Sequence, residues 1–288
     1  MARIIIEVGS TCTKIDKIEN EKIEHLETVT ILLKKHYLQE GKLNKLDIER
    51  LIYKVEQIHK KITDVFICGT SVFRTLPEEE KQEFLNYFQE RTGLPFEIIS
   101  QEKENELTVL GATKQVSQRV AVFVGGGGST EIAIYDKGIR EMVNSPIGVV
   151  EVTNHFPDLV EDKATSKLEE VKAYIKERLQ IPSQKADILI LAGGGHEYFA
   201  RNSGLHYEKN TLFTDSMAPI MMDIQTRTKD AKRYYEEISL DAIRQKDKDP
   251  DWWYATRTMG AFVLVVAEAI GAQYIVPTDV SMVHGLMK

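Results

Sequence analysis

Three short runs in this 288-residue chain join glycines to hydroxyls or carboxylates where apolar, strand-like stretches end. Glu7-Val8-Gly9-Ser10-Thr11 places a carboxylate at the end of an apolar run, just before a tight turn. Gly125-Gly126-Gly127-Gly128-Ser129-Thr130-Glu131 combines four glycines, two hydroxyls and a carboxylate. Gly193-Gly194-Gly195 follows a third apolar run and precedes a helical pattern at 196–201. Glycine lets the backbone approach an anion closely, and exposed N–H groups and hydroxyls then donate to it. A glycine turn leading into a helix is a further anion-friendly arrangement. One such run reads equally well as a flexible turn. Three of them, all at strand ends, point to a protein that grips phosphate.

Glu7, Glu104 and Glu131 could hold a hard cation or orient a water for attack on phosphorus. The plainer alternative for any single glutamate is a solvated surface charge. Glu7 resists that alternative because it ends an apolar strand. Glu104 sits among Glu102, Lys103 and Glu106 at a helix start, so pattern alone leaves it open. Arg74, four residues beyond Thr70, could fork donors onto a phosphate or could be an ordinary surface arginine. His196 reads as a polar cap before it reads as a ligand or acid, and His284 is similarly ambiguous. Trp252-Trp253-Tyr254 reads as aromatic packing at a helix start in preference to a base-stacking patch. The chain has no nucleophile elbow, P-loop or metalloprotease helix.

Positioning these residues requires alternating strands and helices. Residues 3–8 read as a buried strand, followed by strands from about Lys14 and over Lys22–Glu27 in an antiparallel meander. A helix near 44–62 has Leu46, Ile48, Leu51, Ile52, Val55, Ile58 and Ile62 at helical spacing, with Asn44 as cap. Strand 65–68 leads to Gly69-Thr70-Ser71, and a helix then opens at Pro77 and closes at Gly93. Strand 96–99 precedes a helix capped by Ser100 and reaching about Gln115. Strands at 120–124, 132–135 and 139–144 repeat the opening pattern. A helix at 163–180, a strand at 188–191, several helices and a strand at 274–276 complete the chain, with polar loops at 201–209 and 247–251. The repeat predicts two lobes, 1–117 and 118–288, whose turns face one cleft, where ligands of open α/β folds favour the strand ends.

The size suits two lobes with a sizeable core. Composition is ordinary for a globular protein, at 42 % hydrophobic and 28 % charged. A net charge of −7 disfavours long-range attraction to nucleic acid or anionic lipid. Two cysteines without a zinc-like spacing suit a reducing compartment. No signal-peptide pattern and no apolar run of about 20 residues is present. The expected location is cytoplasmic.

Several segments, in order, carry a family resemblance. They are Glu7-Val8-Gly9-Ser10, Gly69-Thr70-Ser71-Val72-Phe73-Arg74, Thr92 to Ser100 leading to Glu104, Gly126-Gly127-Gly128-Ser129-Thr130-Glu131, and Pro146-Ile147-Gly148-Val149-Val150. Near the end, Gly271-Ala272 through Asp279 and Gly285-Leu286 complete the set. The chain resembles the exopolyphosphatase/guanosine pentaphosphate phosphatase (Ppx/GppA) family of the actin, sugar-kinase and chaperone-ATPase clan. It resembles the short two-lobe form, without the helical C-terminal extension some members carry.

The resemblance implies two ribonuclease-H-like α/β lobes of the actin-like ATPase fold flanking an interlobe cleft. It implies a hydrolase releasing the terminal phosphate of polyphosphate or a phosphorylated guanosine nucleotide, assisted by magnesium. Glu104 would match the carboxylate that activates water, and Arg74 the arginine on the phosphate chain. Glu7 and Glu131 would lie near the metal. Gly9, Ser10, Thr11, Gly126, Gly127, Gly128, Ser129, Thr130, Gly194 and Gly195 would hold phosphate. Partners are then the substrate and not nucleic acid or membrane, with a homodimer left open.

Departures from the family pattern matter. Val124 stands where the family has an aspartate expected to help hold the metal, and Glu7 lengthens the arm of another. Lys103 and Asn105 alter the helix start, His284 replaces the final arginine, and His196 replaces the threonine after the third glycine turn. A catalytically degenerate sensor or sequesterer of a phosphorylated ligand is therefore the alternative. A sugar- or acid-kinase-like transferase is a third, for which no acceptor-site signature is visible.

Overall fold

The computed structural model describes residues 2–9, 12–20, 22–193, 195–202, 206–213, 217–245 and 250–287, with backbone alone at Lys35 and at 250–252. The chain divides into two compact units, Met1–Asn105 with Leu286–Lys288, and Glu106–Gly285. The division falls inside the helix Gln101–Ala112.

In the first unit, β1 (Arg3–Val8), β2 (Cys12–Glu19) and β3 (Lys22–Thr30) form the antiparallel meander read from the sequence. Strands β4 (Val65–Gly69) and β5 (Glu97–Ile98) add in parallel, giving the order β3-β2-β1-β4-β5. Ile4, Ile5, Ile6 and Val8 are all buried, as expected of a central strand covered on both faces. The helix Lys45–His59 begins where Asn44 Oδ1 accepts from the amides of Leu46 and Asp47 at 3.0 and 3.2 Å. It buries Ile48, Leu51, Ile52 and Val55. Leu46, expected on that face, is instead 73 % exposed. Two residues before Ile48, it falls on the opposite side of the helical circle. The helix Glu78–Thr92 starts after Pro77 and stops at Gly93, whose φ of +73° ends it in a left-handed turn.

The second unit repeats that plan. Strands β6 (Val120–Gly125), β7 (Thr130–Tyr135) and β8 (Ile139–Ser145) form a second antiparallel meander, and β9 (Ile188–Ala192) joins β6 in parallel. Two short strands unmarked in the sequence pattern, β10 (Glu208–Lys209) and β11 (Ile220–Asp223), pair antiparallel with each other. Strand β12 (Tyr274–Pro277) lies between β11 and β9. Reading β8-β7-β6-β9-β12 against β3-β2-β1-β4-β5 matches strand for strand in order and direction.

The expected helix at 163–180 is the shorter Leu168–Arg178. Its first turn is pre-empted because Asp158 accepts from the backbone and hydroxyl groups of both Thr165 and Ser166, at 2.7–3.1 Å. That local capture holds the chain out of helical geometry. Leu168, Val171, Ile175 and Leu179 all enter the core. They pack with the helix Thr256–Ile270, which is apolar on nearly every side and correspondingly buried. Arg257 on that helix, 1 % exposed, donates to the carbonyls of Tyr234, Leu159, Glu161, Asp162 and Ile238. Its guanidinium thus closes off several loop carbonyls that would otherwise be buried unpaired.

Candidate active site

In the first unit, the site residues gather where β1, β4 and β5 end. Thr70 N donates to Val8 O at 3.1 Å and Ile99 N to Gly69 O at 3.0 Å, stitching the three ends together. Gly69 has no room for a side chain, since a Cβ there would lie 2.5 Å from Phe73 Cδ2 and from Phe96 Cε1. At Gly9 the turn closes through its amide, which donates to Cys12 O at 2.9 Å.

From these ends project two carboxylates and two cations. Arg74, at the end of the short helix Ser71–Arg74, donates through Nη1 to Ile99 O at 3.1 Å and to Glu104 Oε2 at 2.7 Å. Ser100 caps the helix that carries Glu104, its hydroxyl accepting from Lys103 N at 3.2 Å. Glu7 lies directly opposite Lys14 across β1 and β2. Burial pushes the Glu7 carboxyl above its usual range, Lys14 opposes that rise, and Glu104 and Asp16 add to it. Lys14 is raised in turn, chiefly by Glu7 and against the effect of burial. Cys68, paired with Glu7 on the other side, is a buried thiol pushed up by desolvation, so it offers no thiolate.

Glu7 Oε2 is buried and has no hydrogen-bond partner. An orphaned carboxylate oxygen suits a hard cation, and magnesium is commonly held by one or two carboxylates together with substrate phosphates. Among the described residues no group of three or more His, Cys, Asp or Glu could hold a metal by itself. Glu7 Oε2 would be one carboxylate ligand for such an ion, the others coming from substrate phosphates. A groove of about 640 Å³ elsewhere on this unit, lined by Lys42, Glu80, Phe84 and Tyr87 among others, includes none of these residues. The chemistry favours the strand ends over that groove.

In the second unit, the glycine loop joins β6 to β7. Gly126 N donates to Ser129 O at 2.9 Å. The amides of Val149 and Val150 take up the carbonyls of Gly126 and Gly127 at 3.0 and 2.9 Å. Gly148 makes that approach possible, because a Cβ there would lie 2.6 Å from Gly127 O. The loop's carbonyls are thus turned into the protein, and a Cβ at Gly128 would meet nothing within 4 Å. Thr130 is buried and its hydroxyl donates to Ile147 O at 2.8 Å, so that group serves the fold instead of an anion. Glu131, 4 % exposed, stands opposite Val124 in the β6–β7 register.

Val124 also packs toward the third glycine turn, where a Cβ on Gly193 would lie 2.9 Å from Val124 Cγ1. Gly193 and Gly195 both have positive φ, +83° and +65°. His196 is buried, and His284, also buried, accepts from Ser281 N at 3.1 Å. Trp253 is buried against Phe199, so its role is packing. Ser10, Thr11 and Gly194, and part of the expected loop at 247–251, lie outside the described residues. Lys14, opposite the candidate carboxylate Glu7, is a residue that sequence reading passed over. Its signal was its register, the partner of Glu7 once the meander is folded. Among the described residues no helix is long and apolar enough to cross a membrane.

The sequence profile of the Ppx/GppA phosphatase family matches residues 15–238. Among solved structures, the chain is similar to the Aquifex aeolicus Ppx/GppA phosphatase in its type II variant, at 20 % identity and a TM-score of 0.77. That match covers 99 % of this chain and 98 % of the other. The chain is also similar to an exopolyphosphatase from Cytophaga hutchinsonii, at 19 % identity and a TM-score of 0.71, covering 99 % and 96 % of the two chains. No curated protein matches the chain in sequence. At these identities the structures establish the fold, a mixed α/β architecture with two sheets of the actin-like ATPase kind.

Proposed function

Because the chain belongs to the Ppx/GppA phosphatase family, we propose that it is a phosphohydrolase releasing the terminal phosphate of polyphosphate or of a guanosine penta- or tetraphosphate-like nucleotide. The observation that supports this reading best is the Arg74–Glu104 pair, 2.7 Å apart at the ends of the parallel strands.

Without substrate, Arg74 neutralises Glu104. A phosphate chain offers the guanidinium stronger acceptors, so Arg74 shifts its donors to phosphate oxygens. Glu104, released from Arg74, then stands beside the bound chain. It takes a proton from a water whose oxygen attacks the terminal phosphorus. The bridging P–O bond breaks and the remaining chain leaves with that electron pair. Lys14 offsets negative charge next to Glu7. Glu7 would hold a magnesium ion arriving with the phosphates, and bound magnesium would neutralise charge on the phosphate oxygens.

Phosphate release should be assayed with polyphosphate, guanosine pentaphosphate and nucleoside triphosphates, with magnesium or manganese. Release from at least one, abolished by Glu104→Gln, is the expected result. No release from any, with Glu104→Gln indistinguishable from the parent protein, overturns the reading.

Val124 favours a second reading, in which the protein binds a phosphorylated ligand without turning it over. It places an aliphatic side chain opposite Glu131 where the family pattern has a carboxylate. Calorimetry would then give tight, saturable binding with no heat of hydrolysis. Absence of binding to every anion tested ends this reading.

A further inference from the structure

The hairpin of β2 and β3 carries three side chains joined in a line of hydrogen bonds that the proposed hydrolysis leaves out. Asp16 Oδ1 lies 2.9 Å from His25 Nδ1, and His25 Nε2 lies 3.0 Å from Thr28 Oγ1. A carboxylate can only accept, so Nδ1 carries a proton and donates it to Asp16. In the neutral imidazole Nε2 is then the acceptor, and the Thr28 hydroxyl donates to it. A hydroxyl within hydrogen-bond reach of a base, itself oriented by a third group, is the arrangement of an activated nucleophile.

A break in the strand pairing brings these residues together. His25 and Thr28 are three positions apart, which places them on opposite faces of a regular strand. The β2–β3 register shifts between Ile15 and Asp16, however. Ile15 pairs with Glu27 and Asp16 with His25, leaving Leu26 as an extra residue. That bulge turns His25 onto the face of Thr28, a common use of β-bulges. Asp16 is buried and anchors the line, whereas His25 and Thr28 are exposed, so a small molecule can reach the hydroxyl. Lys14 lies directly opposite Thr28 across the ladder and shares its face. A cation in that position favours an electrophile that carries negative charge, such as a phosphoryl group, over a neutral ester.

We propose that Thr28 is a nucleophilic site that accepts a phosphoryl group from an activated donor, a phosphoanhydride or an acyl phosphate. Thr28 Oγ forms the new bond to phosphorus, and its proton passes to His25 Nε2. The bond from phosphorus to the leaving oxygen breaks, and the leaving group departs with that electron pair. The product is a phosphothreonine on the hairpin. Asp16 is a positioning residue that holds the imidazole in the tautomer the step requires. Arg74 and Glu104 take no part.

The test incubates the full-length protein with acetyl phosphate in one arm and polyphosphate in the other, and locates added groups by peptide mass spectrometry. Thr28 should carry phosphate with at least one donor. Thr28→Ser should retain the labelling, and His25→Gln should slow it by about 10²- to 10⁴-fold. Glu104→Gln should label as the parent protein does, which separates this site from the proposed hydrolysis. For Asp16 the readout is the 15N spectrum of neutral His25, which should show the Nδ1–H tautomer in the parent protein. Asp16→Ala should lose that tautomer; should this variant fail to fold, the parent spectrum decides the positioning role. The proposal is overturned by an unmodified Thr28 with both donors, or by labelling undiminished in His25→Gln. Phosphate on His25 in place of Thr28, acetylation of Thr28 in place of phosphorylation, or an Nε2–H tautomer in the parent protein also overturns it.

Discussion

Arg74 Nη1 donates to Glu104 Oε2 at 2.7 Å, joining two residues thirty positions apart in sequence. One ends the short helix after β4 and the other sits in the first turn of the helix after β5. The pair makes the proposed base and the proposed phosphate-gripping group mutually dependent, and the consequences can be measured.

Glu104→Gln preserves shape and removes the proposed base. Phosphate release should fall by about 10²- to 10⁴-fold in kcat with KM little changed. Arg74→Lys keeps a charge but loses the planar fork, so kcat/KM should fall about 10- to 100-fold, mostly through KM. Steady-state kinetics on whichever substrate proves active separates the two effects.

Val124→Asp restores a carboxylate opposite Glu131, and like charges directly across a sheet repel. The variant should melt below the parent protein in EDTA. Magnesium chloride should then raise its Tm selectively, because an ion bound only by the folded state stabilises by mass action. Parallel melts with and without magnesium check this, and equal magnesium responses in the two proteins would count against a metal role for that position.

Gly69→Ala tests the packing that holds the strand ends. The new methyl group would meet Phe73 and Phe96 at 2.5 Å, inside an aromatic cluster completed by Phe84 and Phe88. Overpacking of this kind typically costs about 1–3 kcal/mol. Urea denaturation should show the midpoint moving down with an unchanged m-value.

Asp158 gives a pH signature. Burial acts to raise its pKa, but the bonds from Ser166 and Thr165 outweigh it and bring the carboxyl down to about 2. A carboxyl lowered on folding stabilises above its unfolded pKa, near 3.8, and loses that contribution as pH falls toward 2. Solvent screening of this partly exposed group leaves about 1–2 kcal/mol of the contribution. Asp158→Asn should lower Tm at pH 7, and the gap from the parent protein should narrow between pH 4 and pH 2.

Much of the architecture was legible because local chemistry and tertiary structure agree. Asn44, Pro77, Gly93 and Ser100 mark helix ends through backbone groups only a few residues away. The two meanders announced themselves as repeated apolar runs broken by glycine turns. Where a residue's fate depended on a distant partner, the pattern was silent or misleading. Leu46 has the right type at a helical spacing but the wrong side of the helix. The helix expected from 163 is cut short by Asp158, whose acceptors compete for its first amides.

The sequence by itself determined the fold class, the family and the glycine turns that suit phosphate, since these depend on residue type and short spacing. Only the tertiary structure decided which groups are spent and which are free. It turned Thr130 toward Ile147 O, placed Lys14 against Glu7 and tied Arg74 to Glu104. The reason is physical. A side chain's charge and hydrogen-bonding capacity are written in the sequence, but whether they are already satisfied depends on strand register and burial. Those are fixed only when distant segments pack together.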